Sequence, residues 1–460
     1  MTMSVRDRNV LVLGLGVTGL SAARWATRQG ARVRVADTRA NPPCVSRLAT
    51  ELPKVPVLTG PFTDEKLSGA DMIVVSPGLS KDLPPIAAAV ARGVELVGDV
   101  ELFARALPPD QKLAAITGSN GKSTVSALTG ELLRAAGLTA AVVGNIGEPV
   151  LDVLAAHERG EPWPDAFVVE LSSFQLETTA SLKPTVATVL NVTENHLDRY
   201  RGMESYAAAK ARVFMAGGEQ VLNRDDRRSL AMRLPARAVQ TFGAGAPQSE
   251  RQWGLIESQG APWLARADEP LLATSDLCLV GRHNALNALA ALALASTLAK
   301  VDARMLHALA QFRGLPHRME RVGEMGGVLF VNDSKATTVA ATEAALEGLG
   351  RSAVLIAGGD GKGQDFTALK SAVEAHCRAV ILLGRDAPAI AAALSGVKAV
   401  IEAASTLEVA VARAIARAQS GDVVLLSPAC ASLDMFRDYL ERGERFRAAV
   451  ATQQREAAHA

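Results

Sequence analysis

The sequence is short of cysteine and of aromatic residues, and neither sign of charge predominates. Its four cysteines (Cys44, Cys278, Cys377 and Cys430) are too scattered for a disulfide framework or a zinc site. The 49 basic residues balance 48 acidic residues, which predicts no basic surface for nucleic acid. No apolar run is long enough to span a bilayer, and charged residues 6–8 lead into a strand pattern rather than a signal peptide. These absences favour a cytoplasmic location, with no nucleic-acid partner and no membrane insertion.

The sequence is long and rich in small aliphatic residues. A chain of 460 residues is too long for a single core, and the usual domain size predicts about three domains. A hydrophobic fraction of 48% with only 4% aromatics is typical of a helix-rich α/β protein. The composition therefore predicts a multidomain α/β enzyme.

The clearest motif is a glycine-rich turn between an apolar strand pattern at residues 113–116 and a helix pattern. Backbone N–H groups at such a turn cradle a polyphosphate, Lys122 adds a positive charge, and the Ser123 hydroxyl can bind Mg²⁺. A full P-loop would have glycine at Ile116, and the alternative is a tight turn with a surface lysine. The predicted ATP-phosphate contacts are Gly118, Ser119, Asn120, Gly121, Lys122, Ser123 and Thr124.

A second phosphate-type turn opens the chain. Gly14, Gly16 and Gly19 follow an apolar strand, and a second strand ends at Asp37, which matches the dinucleotide-binding fingerprint. Alone, this pattern favours NAD or FAD. Two phosphate sites in one chain instead favour an enzyme that joins a nucleotide-carrying substrate to ATP. A third strand ends at Ser76-Pro77-Gly78, where an open sheet would hold ligand.

Polar side chains follow other apolar strands of the middle region. Glu170 ends one of them, in the place of an acid that would hold Mg²⁺, although a helix cap or surface ion pair is the alternative. His196 lies beside Glu194 and Asp198 and is either a structural residue or a ligand. Lys210 is indistinguishable from a solvated helix lysine. Asn284 and Asn287 share a helix face, as a purine clamp or as capping residues.

The last third of the chain repeats the strand, loop and helix pattern four times. Lys335 and Lys362 follow two of these strands and are either surface charges or ligands of an acidic substrate. The predicted fold class is therefore α/β with three domains. These are an N-terminal Rossmann-like domain (residues 1–108), a central domain with a P-loop and a mononucleotide-binding parallel sheet (109–314), and a C-terminal Rossmann-like domain (315–460).

Taken together, these motifs resemble the Mur ligase family of peptidoglycan synthesis over essentially the whole chain. The segments that carry the resemblance are residues 14–20, 76–78, 117–124, 144–147, 170–177, 191–200, 315–318, 332–337 and 427–434. The resemblance implies ATP-dependent addition of D-glutamate to UDP-N-acetylmuramoyl-L-alanine through an acyl phosphate, with two Mg²⁺ ions and a monomeric enzyme. One position departs from the family, because Tyr439 stands where the compared member has Phe.

The resemblance also implies roles for individual residues. The UDP-substrate contacts would be Gly16, Val17, Thr18, Asp37, Thr38, Arg39, Ser76, Gly78, Asn145 and His196. Further ATP contacts would be Asn284, Asn287, Arg318 and Asp333. The amino-acid contacts would be Lys335, Thr337, Lys362, Ser432, Leu433 and Tyr439. The catalytic residues would be Lys122, Glu170, His196 and Lys210, and the magnesium ligands Ser123, Glu170, His196 and Lys210, the last as a CO₂-derived carbamate.

Two rivals remain. A folylpolyglutamate synthase would share the middle and C-terminal domains but should lack the N-terminal Gly-x-Gly-x-x-Gly unit. An NAD(P)-linked oxidoreductase would use that unit but would leave the phosphate loop and Glu170 without a role.

Overall fold

The computed structural model describes residues 5–194, 199–279 and 281–459. The chain forms two compact units, the first made of Met1–Gly243, Ser249–Trp253 and Ala290–Met305. The second is made of Ala244–Gln248, Gly254–Leu289 and Leu306–Ala460. In the part of the chain that is described, no helix has both the length and the apolar character that crossing a membrane requires.

The first unit begins with a five-stranded parallel sheet. Its strands are β1 (Asn9–Leu13), β2 (Arg32–Asp37), β3 (Val57–Thr59), β4 (Met72–Val75) and β5 (Glu95–Val97). Its helices are α1 (Val17–Arg28), α2 (Val45–Glu51), α3 (Asp64–Leu67), α4 (Pro84–Ala91) and α5 (Asp99–Ala106). The strand order is β3-β2-β1-β4-β5. Val10 and Val12 belong to one core and Leu11 and Leu13 to another, so both faces of β1 are buried. That is why the strand is continuously apolar.

A second parallel sheet completes the first unit. Its strands are β6 (Lys112–Thr117), β7 (Ala140–Gly144), β8 (Ala166–Glu170), β9 (Val186–Val189), β10 (Glu219–Asn223) and β11 (Val239–Phe242). Its helices are α6 (Lys122–Ala135), α7 (Val150–Glu158), α8 (Ser173–Glu177), α9 (Met203–Ala211) and α10 (Arg227–Ala231), with a 3₁₀ turn at Arg212–Phe214. These strands run in the order β11-β10-β9-β6-β8-β7, which places β6 between β9 and β8. The next strand, β12 (Gln252–Ser258), pairs with β11 through its first two residues.

The second unit contains an antiparallel hairpin and a six-stranded sheet. The hairpin strands are β13 (Ala261–Arg266) and β14 (Glu269–Ala273), followed by a 3₁₀ turn at Thr274–Asp276. The sheet strands are β15 (Glu320–Met325), β16 (Val328–Asn332), β17 (Ala353–Gly358), β18 (Cys377–Leu383), β19 (Val400–Ala403) and β20 (Val423–Leu426). Their order is β15-β16-β20-β17-β18-β19, and only β15 runs antiparallel to its neighbour.

The remaining helices follow the same chain order. They are α11 (Arg282–Leu298), α12 (Ala303–Gln311), α13 (Val339–Gly348), α14 (Leu369–His376), α15 (Ala387–Ala393), α16 (Leu407–Arg417) and α17 (Tyr439–His459). Helices α11 and α12 contain residues of both units. The predicted α/β class with mostly parallel sheets is confirmed, whereas the hairpin, β15 and β19 were not predicted from the sequence.

Candidate active site

The phosphate-type loop lies at the carboxyl end of β6, near the middle of its sheet. Gly121 has φ of 82°, a left-handed conformation that glycine adopts without strain, and α6 starts at the next residue. The first turn of this 14-residue helix presents backbone N–H groups and the positive end of its dipole. Lys122 Nζ donates to the carbonyl oxygens of Gly118 and Ser119, both at 2.9 Å. The loop therefore has the features of an anion site, with the Lys122 side chain held against it.

Lys210 reaches the same loop from α9. The side chain is only 1% exposed, and its Nζ donates to the Gly118 carbonyl oxygen at 2.8 Å. Nζ also lies 4.5 Å from the centre of the Tyr206 ring. Burial, together with the charge of Lys122, lowers the pKa of Lys210 to about 6. Above that pH the amine is mostly neutral and nucleophilic, which a solvated lysine would not be.

Glu170 ends β8, beside Ile116 of β6 and Gly144 of β7. Its side chain is 1% exposed, and Oε1 accepts a hydrogen bond from Asn145 Nδ2 at 2.9 Å. The other carboxylate oxygen, Oε2, is buried and accepts no hydrogen bond from the residues described. Glu170 was predicted as a magnesium ligand and Asn145 as a substrate contact. The structure places the two in direct contact, at the strand edge that carries the phosphate loop.

The oxygen atoms of Glu170 and Ser123 are of the kind that bind a magnesium ion. An unpaired buried carboxylate oxygen such as Glu170 Oε2 is costly without a cation, and a serine hydroxyl such as that of buried Ser123 is a common partner ligand. The described residues contain no cluster of three His, Cys, Asp or Glu side chains able to hold a metal. Mg²⁺ needs no such cluster, because water and substrate phosphates usually complete its shell. His196, predicted as a further ligand, lies outside the described residues.

The glycine loop after β1 is closely packed. Gly19 lies so near the Gly14 carbonyl oxygen that a Cβ on it would collide with that atom, whereas a Cβ on Gly16 would meet nothing within 4 Å. Ser76 Oγ donates to the same Gly14 oxygen at 3.2 Å. The structure thus brings Ser76 to the loop and leaves open space at Gly16, the residue before α1. Val17, Thr38, Arg39 and Gly78, predicted to contact the UDP substrate, are exposed, and Thr18 is partly buried.

Asp37 is buried beneath this loop and already has partners. Its Oδ2 accepts from the Leu15 N–H at 2.7 Å, and the Arg39 guanidinium donates to both oxygens. Hydrogen bonding from Arg39, then from Leu15, outweighs burial and lowers the pKa of Asp37 to about 2. The carboxylate therefore holds the loop in shape, a use that the dinucleotide fingerprint alone does not indicate.

In the second unit, the predicted amino-acid contacts follow parallel strands. Lys335 comes after β16, Lys362 after β17, and Ser432 after β20, so the carboxyl edge of one sheet collects them. Lys335 Nζ lies 3.8 Å from the centre of the Tyr439 ring. Ser432 is buried and Leu433 is 62% exposed. Thr337 joins the same region, because Gln364 Nε2 donates to its carbonyl oxygen at 3.4 Å.

The remaining predicted ATP contacts also lie in the second unit. Asn287 Nδ2 donates to Asn284 Oδ1 at 3.0 Å, as expected for two amides on one helix face. Asp333 accepts from the Met319 N–H and from Ser427 Oγ. Burial raises the pKa of Asp333 to about 7, while Ser427, Met319 and the charge of Arg318 act against it.

One buried residue of this region, Arg442, was not predicted from the sequence. Arg442 is 1% exposed and donates to the Ser334 side chain and carbonyl and to the Cys430 carbonyl. It thereby joins the loop before Lys335 to the loop before Ser432. Because the terminal helix contains many charged residues, one more arginine in it gives no local signal of this role.

Comparison with known proteins places the chain in a family. Three family models match it: the Mur ligase MurD-like N-terminal domain over residues 8–98, the Mur ligase middle domain over 116–295, and the Mur ligase glutamate ligase domain over 317–430. Together they span most of the sequence. The chain belongs to the Mur ligase family, which confirms the resemblance inferred from its motifs.

Individual relatives agree along the whole length. UDP-N-acetylmuramoylalanine--D-glutamate ligase of Methylobacillus flagellatus is 53% identical over 448 residues, covering 97% of this chain and 98% of the relative. The ligase of that name from Thiobacillus denitrificans is 53% identical over 463 residues, covering 97% of each chain. The crystal structure of UDP-N-acetylmuramate-alanine ligase from Thermotoga maritima is 18% identical with a TM-score of 0.61, covering 97% of this chain and 100% of that one. It shares the fold.

Proposed function

We propose that this chain is the ATP-dependent ligase that joins D-glutamate to UDP-N-acetylmuramoyl-L-alanine, releasing ADP and phosphate. The observation that carries the proposal is the full-length similarity, at 53% identity, to two curated ligases that are named for this reaction. The cationic phosphate loop of the first unit supports it independently. An oxidoreductase would have no use for Lys122, Lys210 and Glu170 around a second phosphate site.

The reaction we propose has two chemical steps. A carboxylate oxygen of the alanyl group attacks the γ-phosphorus of ATP, ADP leaves, and an acyl phosphate forms. The amine of glutamate then attacks the acyl carbon, phosphate leaves with the C–O bond electrons, and the amine loses a proton to give the amide. Both steps bring anions together, so neutralising charge is the main demand on the site.

The residues of the first unit suit this demand. Lys122 and the N–H groups at the start of α6 would stabilise the β- and γ-phosphates. Mg²⁺ bound by Ser123 and Glu170, with His196 as a further ligand, would supply positive charge at the transferring phosphoryl group. Asn145, hydrogen-bonded to Glu170, would couple that carboxylate to the muramoyl substrate. We infer a second magnesium ion held by Lys210 as a carbamate.

The second unit would bind the incoming amino acid. Lys335, Thr337, Lys362, Ser432, Leu433 and Tyr439 are proposed to receive glutamate, and Asn284, Asn287, Arg318 and Asp333 to contact the nucleotide. We assign UDP-substrate binding to residues 1–108, with contacts at Gly16–Thr18, residues 37–39, Ser76 and Gly78. ATP binding is assigned to residues 109–314 and amino-acid binding to 315–460. A monomer in the cytoplasm completes the proposal.

The test is phosphate release from ATP with Mg²⁺, UDP-N-acetylmuramoyl-L-alanine and, in separate reactions, D-Glu, L-Glu, D-Asp or no amino acid. Release that requires both the nucleotide substrate and D-Glu is the expected result. Release with L-Glu alone would keep the chemistry and overturn the stereochemical assignment. Release that ignores every amino acid would overturn the ligase assignment.

A further inference from the structure

Asn191, two residues beyond the end of β9, is bonded to the phosphate loop through both its main chain and its side chain. The parallel ladder between β6 and β9 continues past the strands, since Leu190 N–H donates to the Thr117 carbonyl and Ser119 N–H donates to the Asn191 carbonyl, both at 2.9 Å. At the next residue of the loop, Asn120, the hydrogen bonds come from the Asn191 carboxamide. Its Oδ1 accepts from Asn120 N–H at 2.8 Å, and its Nδ2 donates to the Asn120 carbonyl at 3.1 Å.

This side chain therefore supplies Asn120 with the donor and the acceptor that another strand residue would supply. The consequence is that the N–H groups of Ser119 and Asn120 point to Asn191. Ser119 Oγ is held in the same way, since it donates to the Thr193 carbonyl at 3.1 Å and accepts from Thr193 N–H at 3.0 Å. The segment at residues 191–193 thus fixes the middle of the loop, and the start of α6 is left to face phosphate.

The shape of this loop also sets the position of two lysine side chains. The Nζ atoms of Lys122 and Lys210 both donate to the Gly118 carbonyl, and Lys122 also donates to the Ser119 carbonyl. If residues 118–120 turned, both Nζ atoms would lose the acceptors that direct them. A small displacement is enough to matter, because misplacing a reacting group by about 1 Å can cost on the order of a hundredfold in rate.

We propose that Asn191 is a positioning residue for the phosphate loop, acting on the nucleotide through Asn120 and Ser119. For its effect on catalysis, the proposal rests on the function proposed above. Its effect on nucleotide binding can be measured whether or not that function is correct.

Gln220 of β10 provides a matched control. Its side chain is 1% exposed, its Nε2 donates to the Met232 carbonyl at 3.0 Å, and its Oε1 accepts from Leu234 N–H at 2.8 Å. It is thus another amide that makes one donor and one acceptor bond to the backbone of a loop, in the same sheet. Its partners are not part of the phosphate loop. Removing it should cost similar stability without altering the nucleotide site.

The experiment compares Asn191→Ala, Asn191→Ser and Gln220→Ala with the unaltered protein. Mg·ADP affinity is measured by titration calorimetry, and KM for ATP and kcat by phosphate release at saturating D-Glu and UDP substrate. For both Asn191 variants we expect Mg·ADP affinity and kcat/KM for ATP to fall about tenfold or more, while KM for D-Glu changes less than about twofold. Gln220→Ala should lower the melting temperature with ADP affinity unchanged within about twofold.

The serine variant retains a polar group, and it allows the measurement if the alanine variant does not fold. If Asn191→Ser binds Mg·ADP as the unaltered protein does, or loses no more affinity than Gln220→Ala, the positioning role is wrong. An unaltered protein that binds Mg·ADP but releases no phosphate with D-Glu would count against the proposed function. The affinity comparison would still decide the role of Asn191.

Discussion

Lys210 and Arg442 are both buried basic residues, but burial affects their charges differently. The pKa of Lys210 falls to about 6, so this side chain can lose its proton. Burial lowers the pKa of Arg442 only to about 10, so its charge persists and is balanced by hydrogen bonds to carbonyl oxygens of two loops. A neutral lysine suits a chemical role, whereas a charged arginine suits a structural one.

A neutral Lys210 amine should react with CO₂, since only the unprotonated amine adds to the carbon atom and the product loses one proton. We expect a carbamate resonance in ¹³C NMR spectra after equilibration with ¹³C-bicarbonate at pH 8, and its loss at pH 5.5 as the amine is protonated. Lys210→Arg, which cannot form the adduct, is the control. A spectrum that is the same for both proteins would contradict the carbamate.

Replacing Arg442 by methionine should leave the carbonyl groups of Ser334 and Cys430 buried without donors. We expect this to lower the free energy of unfolding by about 2–4 kcal/mol and to raise KM for the amino acid, because the two loops carry Lys335 and Ser432. Arg445→Ala is the control from the same helix. Its side chain is 45% exposed and pairs with Glu408 at the surface, so its removal should cost less than about 1 kcal/mol. Urea denaturation measures both, and equal losses would contradict the role of Arg442.

At the scale of the element, two glycines near the turn between β1 and α1 differ in the space around them. Gly19→Ala should place a methyl group against the Gly14 carbonyl and force α1 away from β1. We expect the free energy of unfolding to fall by several kcal/mol, as for other overpacked sites.

A Cβ on residue 16 would meet open space, and the backbone there is extended, with φ of −89°, so Gly16→Ala should leave folding unaffected. Its methyl group would stand where phosphate approaches α1, raising KM for the UDP substrate about tenfold. Melting curves and substrate kinetics separate the two effects, and equal melting temperatures would contradict the close-contact argument.

The strands that position the site were predictable at this scale because parallel strands buried on both faces are continuous apolar runs. Residues 113–116 were predicted, and β6 covers Lys112–Thr117. Strands β13 and β14 mix buried, half-buried and exposed residues and pair with a register shift, and β19 is a short, half-exposed edge strand. Strands with such irregular burial give weak sequence patterns, so these elements could not be found without their neighbours.

At the scale of the whole molecule, the start of α5 joins the two sheets of the first unit. Glu101 accepts hydrogen bonds from the Ala180 and Ser181 N–H groups, the Ser181 hydroxyl and Arg105. Burial would raise the pKa of Glu101, but these donors outweigh it and leave the pKa below its usual value. Burial raises the pKa of Asp99, two residues earlier, to about 6, although nearby N–H groups and the Gln175 side chain oppose the shift.

These two carboxyl groups should make the stability depend on pH with opposite signs. Folded Asp99 binds its proton more tightly than unfolded Asp99, so its contribution falls as the pH rises from about 4 to 6, by at most about 3 kcal/mol. Asp99→Asn should therefore raise the free energy of unfolding by about 1–3 kcal/mol at pH 7.5, a gain that shrinks towards pH 4. Glu101→Gln should be destabilising at pH 7.5, because the carboxylate is the form that its donors stabilise. Urea denaturation at several pH values tests both, and a less stable Asp99→Asn protein at pH 7.5 would contradict the linkage.

By itself, the sequence determined the α/β class, the two glycine-rich turns and the family. Each of these depends on residues close together in the chain, where apolar runs and glycine spacing decide the local conformation. Only the tertiary structure decided what the buried polar groups do. Lys210 could not be told from a solvated helix lysine by its spacing, and the hydrogen bonds of Asp37, Arg442 and Asn191 left no mark in the local sequence. Their partners lie far away in the chain, and burial and hydrogen bonding, which set charge and position, arise only when the fold brings those partners together.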